Sequence, residues 1–398
     1  MNHLATLRRS DVLVALGLAL APVVALGFSR FAYALLLPPM RHDLDWSYTA
    51  AGGMNTANAI GYIAGSATAA WWATRLGIRR AFITTLAASA IVLVLTAATR
   101  DYGVLVALRA MGGMATAIAF VAGSSLAARL RPGLLPVYFA GVGLGIVLSG
   151  IVVPAALAGD PSAHWQLAWV PLGVAALIAL APAWLAARSV PDQRQTSAAT
   201  LRLSELRKLH FTFLGYILFG AGYVSYMTFV IALLRGESLP GWVPTAFWLV
   251  LGTASAAFIG PWGRLLQRTR GGNGQALIYG ATLIGTLPIL IHVGPATALL
   301  SAVVFGSAFM AGPAAVTAIS RHVLQPGNWT AGIAVMTTAF ALGQAVGPLV
   351  SGMLSDGSGG LKAGLWLSPL LLAASAAIAY RQAHHPHHSE TVAGAATD

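Results

Sequence analysis

The chain runs to 398 residues, 57% of them apolar and only 9% charged, with a formal charge of +12 and no cysteine. A soluble domain carries about a quarter charged residues, so this chain has too few to cover a water-facing surface, and lipid must be a large part of its solvent. The absence of thiols excludes disulfides, thiolate catalysis and Cys-based zinc sites; the basic residues, scattered singly or in pairs between apolar runs with no basic face, argue against nucleic acid.

Crossing about 30 Å of hydrocarbon takes about twenty apolar residues. By that ruler the first span covers 12–38. Arg8 and Arg9 before it and an Ala-Leu-Gly near its end resemble a signal peptide. The apolar stretch runs on to Pro39, however, and many spans follow, so an uncleaved membrane helix is expected. Further spans are predicted at 48–72, 81–99, 103–128, 136–158 and 167–187. A polar stretch then holds Asp192, Arg194, Arg202, Glu205, Arg207 and Lys208. The second half repeats the pattern at 211–234, 242–266, 274–293, 295–320, 330–355 and 362–381. The expected organisation is an N-terminal six-helix half over 1–187, a cytoplasmic linker over 188–210, a C-terminal six-helix half over 211–382 and a disordered cytoplasmic tail over 383–398. In that tail His384, His385, His387 and His388 read as solvated side chains, with a metal site as the alternative.

Short loops on the cytoplasmic side of membrane proteins are enriched in Lys and Arg. With the N-terminus inside, 17 such residues fall on the inner side and 4 on the outer (Arg41, Arg100, Arg235 and Lys362), leaving Arg30 and Arg109 within the membrane. Both termini are therefore expected in the cytoplasm, and the chain in the cell inner (plasma) membrane. The halves also match internally. A basic turn follows the second span of each, and the fifth span of each carries spaced small residues, Gly141, Gly145 and Ser149, then Gly343, Gly347 and Gly352. Such spacing lets helix backbones approach closely. A parallel repeat places the binding site between the halves near the midplane.

These features resemble the major facilitator superfamily over nearly the whole chain. Ala70–Arg80 is similar to its signature between the second and third spans, with Ala70 for the first glycine and Thr74 for the acid. Arg109-Ala-Met-Gly-Gly113 resembles the Arg-x-x-x-Gly motif implicated in proton coupling in some members. Gly343-Gln-Ala-Val-Gly347-Pro348 resembles the Gly-Pro signature. The segments Gly27-Phe-Ser-Arg30-Phe-Ala-Tyr33 and Gly220-Ala-Gly222-Tyr223-Val-Ser-Tyr226 resemble the YbfB/YjiJ-type branch. The resemblance implies an all-α polytopic membrane protein, twelve transmembrane helices in two pseudo-symmetric six-helix halves, the major facilitator fold. It also implies coupling or gating roles for Arg109, Gly113, Gly347 and Pro348.

An ionisable residue inside a span is costly and marks a functional-site hypothesis. Only Arg30 and Arg109 qualify, because all 11 acids fall in loops, tails or span ends. At about 1.5 Å per residue, Arg30, Asn55, Asn58, Arg109, Tyr223 and Tyr226 lie roughly 9–16 Å from the outer edge, in one layer. Asn55, Asn58 and Tyr62 share a helix face, as do Arg30 and Tyr33. Gln344 adds an amide from the other half. A guanidinium among amides and phenols suits a carboxylate, gripped bidentately. The expected substrate-binding set is thus Arg30, Tyr33, Asn55, Asn58, Tyr62, Tyr223, Tyr226 and Gln344. Alternative readings stand beside it: Arg109 and Arg30 as structural cations bonded to backbone carbonyls, and the asparagines as interhelical hydrogen bonds.

The function expected is secondary active transport of a small solute, an organic anion, by alternating access. The alternative is export of amphipathic or drug-like compounds. The P-loop motif is absent, as are His-Glu-x-x-His and Gly-x-Ser-x-Gly, so neither a primary pump nor an enzyme is expected. The partners expected are a small-molecule solute and the lipid bilayer, with a coupling proton left open; a monomer is expected and no cofactor.

Overall fold

The computed structural model describes residues 9–130, 134–159, 161–191, 205, 207–325 and 328–382. Most of the expected linker and all of the His-rich tail lie outside these. The described residues form helices and no strands: α1 (Arg9–Pro22), a wide helical segment (Val23–Phe31), α2 (Tyr33–Asp43), α3 (Tyr48–Leu76), α4 (Ile78–Thr96), α5 (Tyr102–Ala127), α6 (Leu135–Ala156), α7 (Pro161–Ser189), α8 (His210–Gly236), α9 (Val243–Leu266), α10 (Asn273–Ile291), α11 (Pro295–Phe309), α12 (Gly312–Val323), α13 (Trp329–Ser355) and α14 (Gly360–Tyr380).

Local chemistry sets several boundaries. The Ser47 Oγ accepts from the Ala50 amide at 3.1 Å and the Asp101 Oδ1 from the Val104 amide at 2.8 Å, capping α3 and α5. Gly77, at φ 79°, permits the abrupt joint between α3 and α4. Eleven helical segments among the described residues are long and apolar enough to cross a membrane. The twelfth spanning helix is α3, which at 29 residues is about 44 Å long. Asn55, Thr56, Asn58, Ser66 and Thr68 make it more polar than the rest, and it can afford them because it packs between α5 and α13.

Two spans predicted as continuous are interrupted. In the first, Pro22 precedes a segment in which the Ala32 amide donates to Gly27 O, five residues back, at 2.9 Å. Wide turns of this kind often mark functional sites in helices. A Cβ on Gly27 would lie 2.4 Å from Gly145 Cα, so the first span and α6 meet backbone to backbone there. In the tenth span, Gly312 and Pro313 restart the helix after Phe309.

The halves repeat the same packing. The first span lies on α6 as α8 lies on α13; α3 lies on α5 as α9 lies on α11; α4 lies on α7 as α10 lies on α14. The small-residue rows serve these contacts. A Cβ on Gly141 would sit 2.3 Å from Ala19 O, and one on Gly343 would sit 1.9 Å from Ile217 O. Across the halves, α3 meets α13 and α6 meets α9. Trp248 Nε1 donates to Ser149 Oγ at 3.1 Å, Thr56 Oγ1 donates to Ala345 O at 2.6 Å, and Gly52 lies against Pro348.

The two ends of the bundle differ. At the end away from the termini, α2 packs on α8, and Asp356 accepts from the Tyr48 amide at 2.7 Å and from the Thr49 amide and hydroxyl at 2.8 and 2.6 Å. Partial burial pushes the Asp356 carboxyl up, but these hydrogen bonds to its charged form outweigh that and hold it below the usual carboxylate range. At the other end, α1 packs on α5, α6 and α7 and α12 on α9, α10 and α13 together with α8, each within its own half.

Candidate functional site

The polar residues of the spans gather around two guanidinium groups with different surroundings. Arg109 projects from α5 towards α3 and the first span. Its position depends on glycine. A Cβ on Gly113 would lie 2.0 Å from Asn58 O, and one on Gly61 would lie 1.9 Å from Ala110 O, so α3 and α5 approach as closely as backbones can. Arg109 then bonds outward on every side. One terminal nitrogen donates to Ser29 O, the other donates to Asn55 Oδ1 at 2.9 Å, and Nε reaches Met54 O at 3.5 Å. Its Cζ stands 4.9 Å from the centroid of the Tyr33 ring. The Tyr33 hydroxyl is itself spent on Ala51 O at 2.8 Å. Asn58 Nδ2 donates to Arg109 O at 3.2 Å, and Asn55 Nδ2 crosses to Thr228 Oγ1 of α8 at 2.7 Å.

Arg30, in the wide segment of the first span, is as deeply placed, with 6% exposure. It makes no hydrogen bond or ion pair with any described residue; its one aromatic contact is the Tyr62 ring, 5.4 Å from Cζ. Its chain neighbour Phe31 meets Phe309 of the other half at 5.9 Å. Two cations share the interior, while the acids of the first span, Asp11 and Asp43, sit at its ends. Arg30 and Tyr33, expected on one face, serve different neighbours: Tyr33 lies in the regular turn of α2 against Arg109, and the wide turn before it gives Arg30 a direction of its own.

From the C-terminal half, Gln344 Nε2 donates to the Tyr223 hydroxyl, while Gln344 Oε1 is buried with no hydrogen-bond partner among the described residues. Tyr226 points elsewhere. Its hydroxyl bonds Ser301 Oγ, which donates to Gly285 O at 2.5 Å, so it pins α8 to α10 and α11. Gly347 packs on Ala221 of α8 and Pro348 on Gly52 of α3; both therefore lie where α13 touches its own half and the other.

Sequence reasoning missed Phe309 and Phe340, which complete an aromatic wall beside these groups. Tyr223 stacks on Phe340 with centroids 5.5 Å apart and on Phe309 at 5.8 Å, and Tyr216 stacks on Phe340 at 4.4 Å. Phe31, next to Arg30, meets Phe309 edge-on at 5.9 Å across the halves. The available signal was helical spacing: Phe219–Tyr223, Phe305–Phe309 and Phe340–Gln344 are each four residues apart and so share faces.

Comparison with known proteins adds identity to this geometry. The family model described as "Uncharacterised MFS-type transporter YbfB" matches residues 22–380. A chloramphenicol resistance protein of Streptomyces lividans is 28% identical over 379 residues, covering 90% of this chain and 93% of the relative. The crystal structure of the nucleoside transporter NupG superposes with a TM-score of 0.68 at 15% identity, over 92% of this chain and 97% of that one. A bacterial homolog of the human lysosomal transporter Spinster, inward-facing and unoccupied, superposes with a TM-score of 0.67 at 16% identity, over 94% and 95% of the two chains. At these identities the two structures bear on the fold alone.

Proposed function

The chain belongs to the YbfB-type family of MFS transporters, and we propose that it carries a small organic anion by alternating access around Arg30. The observation that carries this reading is a buried guanidinium with no hydrogen bond or ion pair among the described residues. A buried, uncompensated charge costs several kcal/mol, and a carboxylate gripped bidentately would offset that cost. Arg109 adds positive potential from nearby while its own donors stay committed to the backbone and Asn55, so in this reading Arg109 and Gly113 build the scaffold and Arg30 binds. Gly347 and Pro348 lie at the contact of α13 with α8 and α3 and act in gating. Tyr62, Tyr223 and Gln344 complete the solute's surroundings; Asn55, Asn58 and Tyr33 hold Arg109.

In this reading the protein spans the cell inner (plasma) membrane as a monomer, with both termini in the cytoplasm, an orientation the Lys/Arg bias supports. The end latched by Asp356 is then the outer one, and the halves separate inward. A coupling proton has no carboxylate inside a span to ride on, which favours a solute that carries its own acid group, or exchange.

A second reading is export of a neutral amphipathic compound. The aromatic wall favours it, as does the chloramphenicol resistance assigned to the Streptomyces lividans relative. Thermal stabilisation of the purified protein separates the two, because a ligand that binds only the folded state raises its apparent stability. In the anion reading small carboxylates raise the Tm of wild type and not of Arg30→Gln. In the exporter reading chloramphenicol stabilises both proteins alike, and that result would refute the anion reading.

A further inference from the structure

We infer that the Arg30 site selects a planar aromatic anion whose ring carries a further hydrogen-bonding group, and that Tyr223 and Gln344 read that group. The inference rests on the anion reading above and deepens it. Gln344 is 1% exposed; its Nε2 donates to the Tyr223 hydroxyl and its Oε1 is without a partner among the described residues. The Tyr223 proton likewise has no acceptor among them. If the amide is turned over, the roles swap: Tyr223 donates to Oε1 and Nε2 is left to donate. In either arrangement the pair keeps at least one free donor and one free acceptor. Leaving such atoms buried and unpaired is costly, and a hydroxyl, amine or amide on the solute satisfies both.

The wall supplies the preference for a flat ring. The Tyr216, Phe340 and Tyr223 planes lie within 15° and 5° of one another in sequence, and Phe309 within 28° of Tyr223. Phe31, the residue after Arg30, meets Phe309 of this wall at 5.9 Å, and Phe309 lies 5.8 Å from the Tyr223 ring. Guanidinium, amide and stacked rings thus bear on one spot from both halves. A planar ring gains from stacking in a way that a saturated ring of the same size does not. A solute held by Arg30 from the N-terminal half and by Tyr223 and Gln344 from the C-terminal half also links the two bodies whose relative motion would carry it.

The test is the Tm of the purified full-length protein titrated with benzoate, the three hydroxybenzoate isomers, cyclohexanecarboxylate and benzyl alcohol. Benzoate is expected to stabilise wild type, cyclohexanecarboxylate to bind at least about fivefold more weakly, and one hydroxybenzoate to bind about tenfold more tightly than benzoate. The tenfold gain disappears in Gln344→Met and in Tyr223→Phe; two variants are used so that one which fails to fold leaves the other to decide. The inference is overturned if no isomer gains over benzoate, or if the gain survives in a folded variant. Should benzoate and cyclohexanecarboxylate bind equally, both through Arg30, the anion reading stands and this inference falls. Should benzyl alcohol match benzoate, or none of the carboxylates bind, both fall.

Discussion

The surroundings of Arg109 and Arg30 make a controlled comparison within one molecule. Both residues are arginines, both are buried, and both lie in the N-terminal half. Arg109 is enclosed by acceptors supplied by neighbouring helices, Ser29 O, Met54 O and Asn55 Oδ1. Arg30 meets the face of Tyr62 and no acceptor among the described residues. The difference traces to backbone geometry. Glycines at 61 and 113 bring α3 against α5, so that carbonyls and an amide surround Arg109. A wide helical turn after Pro22 carries Arg30 to the boundary between the halves. In the proposed reading the cation satisfied by its own fold is scaffold, and the one left unsatisfied is poised for a solute.

That contrast can be broken most severely at Arg109. Arg109→Met leaves Ser29 O and Asn55 Oδ1 without their donor, and a loss of about 3–5 kcal/mol in stability is expected, read as a large fall in thermal unfolding temperature in detergent. Arg30→Gln is expected to do the opposite. Stability is unchanged or higher because an uncompensated buried charge has gone, while carboxylate affinity falls at least about 100-fold, about 2.7 kcal/mol, measured by ligand-dependent thermal shift. Gly113→Ala sharpens the comparison: its methyl group would overlap Asn58 O, so α3 must move away, costing about 1–3 kcal/mol on the Arg109 side, as circular-dichroism melting would register.

The smallest effect concerns the latch at the distal end. The Asp356 carboxyl is held below its ordinary value, so its contribution is complete above the unfolded value, about pH 4, and is lost as pH falls through the lower value in the folded chain. Because the group is exposed, Asp356→Asn is expected to cost only about 0.5–1 kcal/mol. The latch in wild type should accordingly loosen only below about pH 4, an opening that hydrogen exchange of the Tyr48 and Thr49 amides, which donate to Asp356, would follow; an insensitive latch would remove the carboxylate from the account.

The spans were legible because lipid imposes length and composition on every helix that faces it. Even α3, less apolar than the others, met the length rule at 48–72. The wide turn at 23–31 could not be read, since Pro22 alone marks a disturbance without its kind. Nor could partners: depth arithmetic puts Asn55 and Asn58 in one layer with the arginines, yet whether an amide meets a solute or an arginine depends on interhelical approach distances set by Gly61 and Gly113. Tyr226 shows the same limit. Three residues beyond Tyr223 on the same helix, it turns to Ser301 and packing.

The most direct test of the account compares Arg30→Gln and Arg109→Met side by side, recording Tm with and without saturating benzoate. The expected result is a stable Arg30→Gln protein blind to benzoate and an Arg109→Met protein whose Tm is strongly depressed without ligand. A destabilised Arg30→Gln protein that still responds to benzoate would contradict it, making Arg30 the scaffold and leaving the solute to another part of the interior.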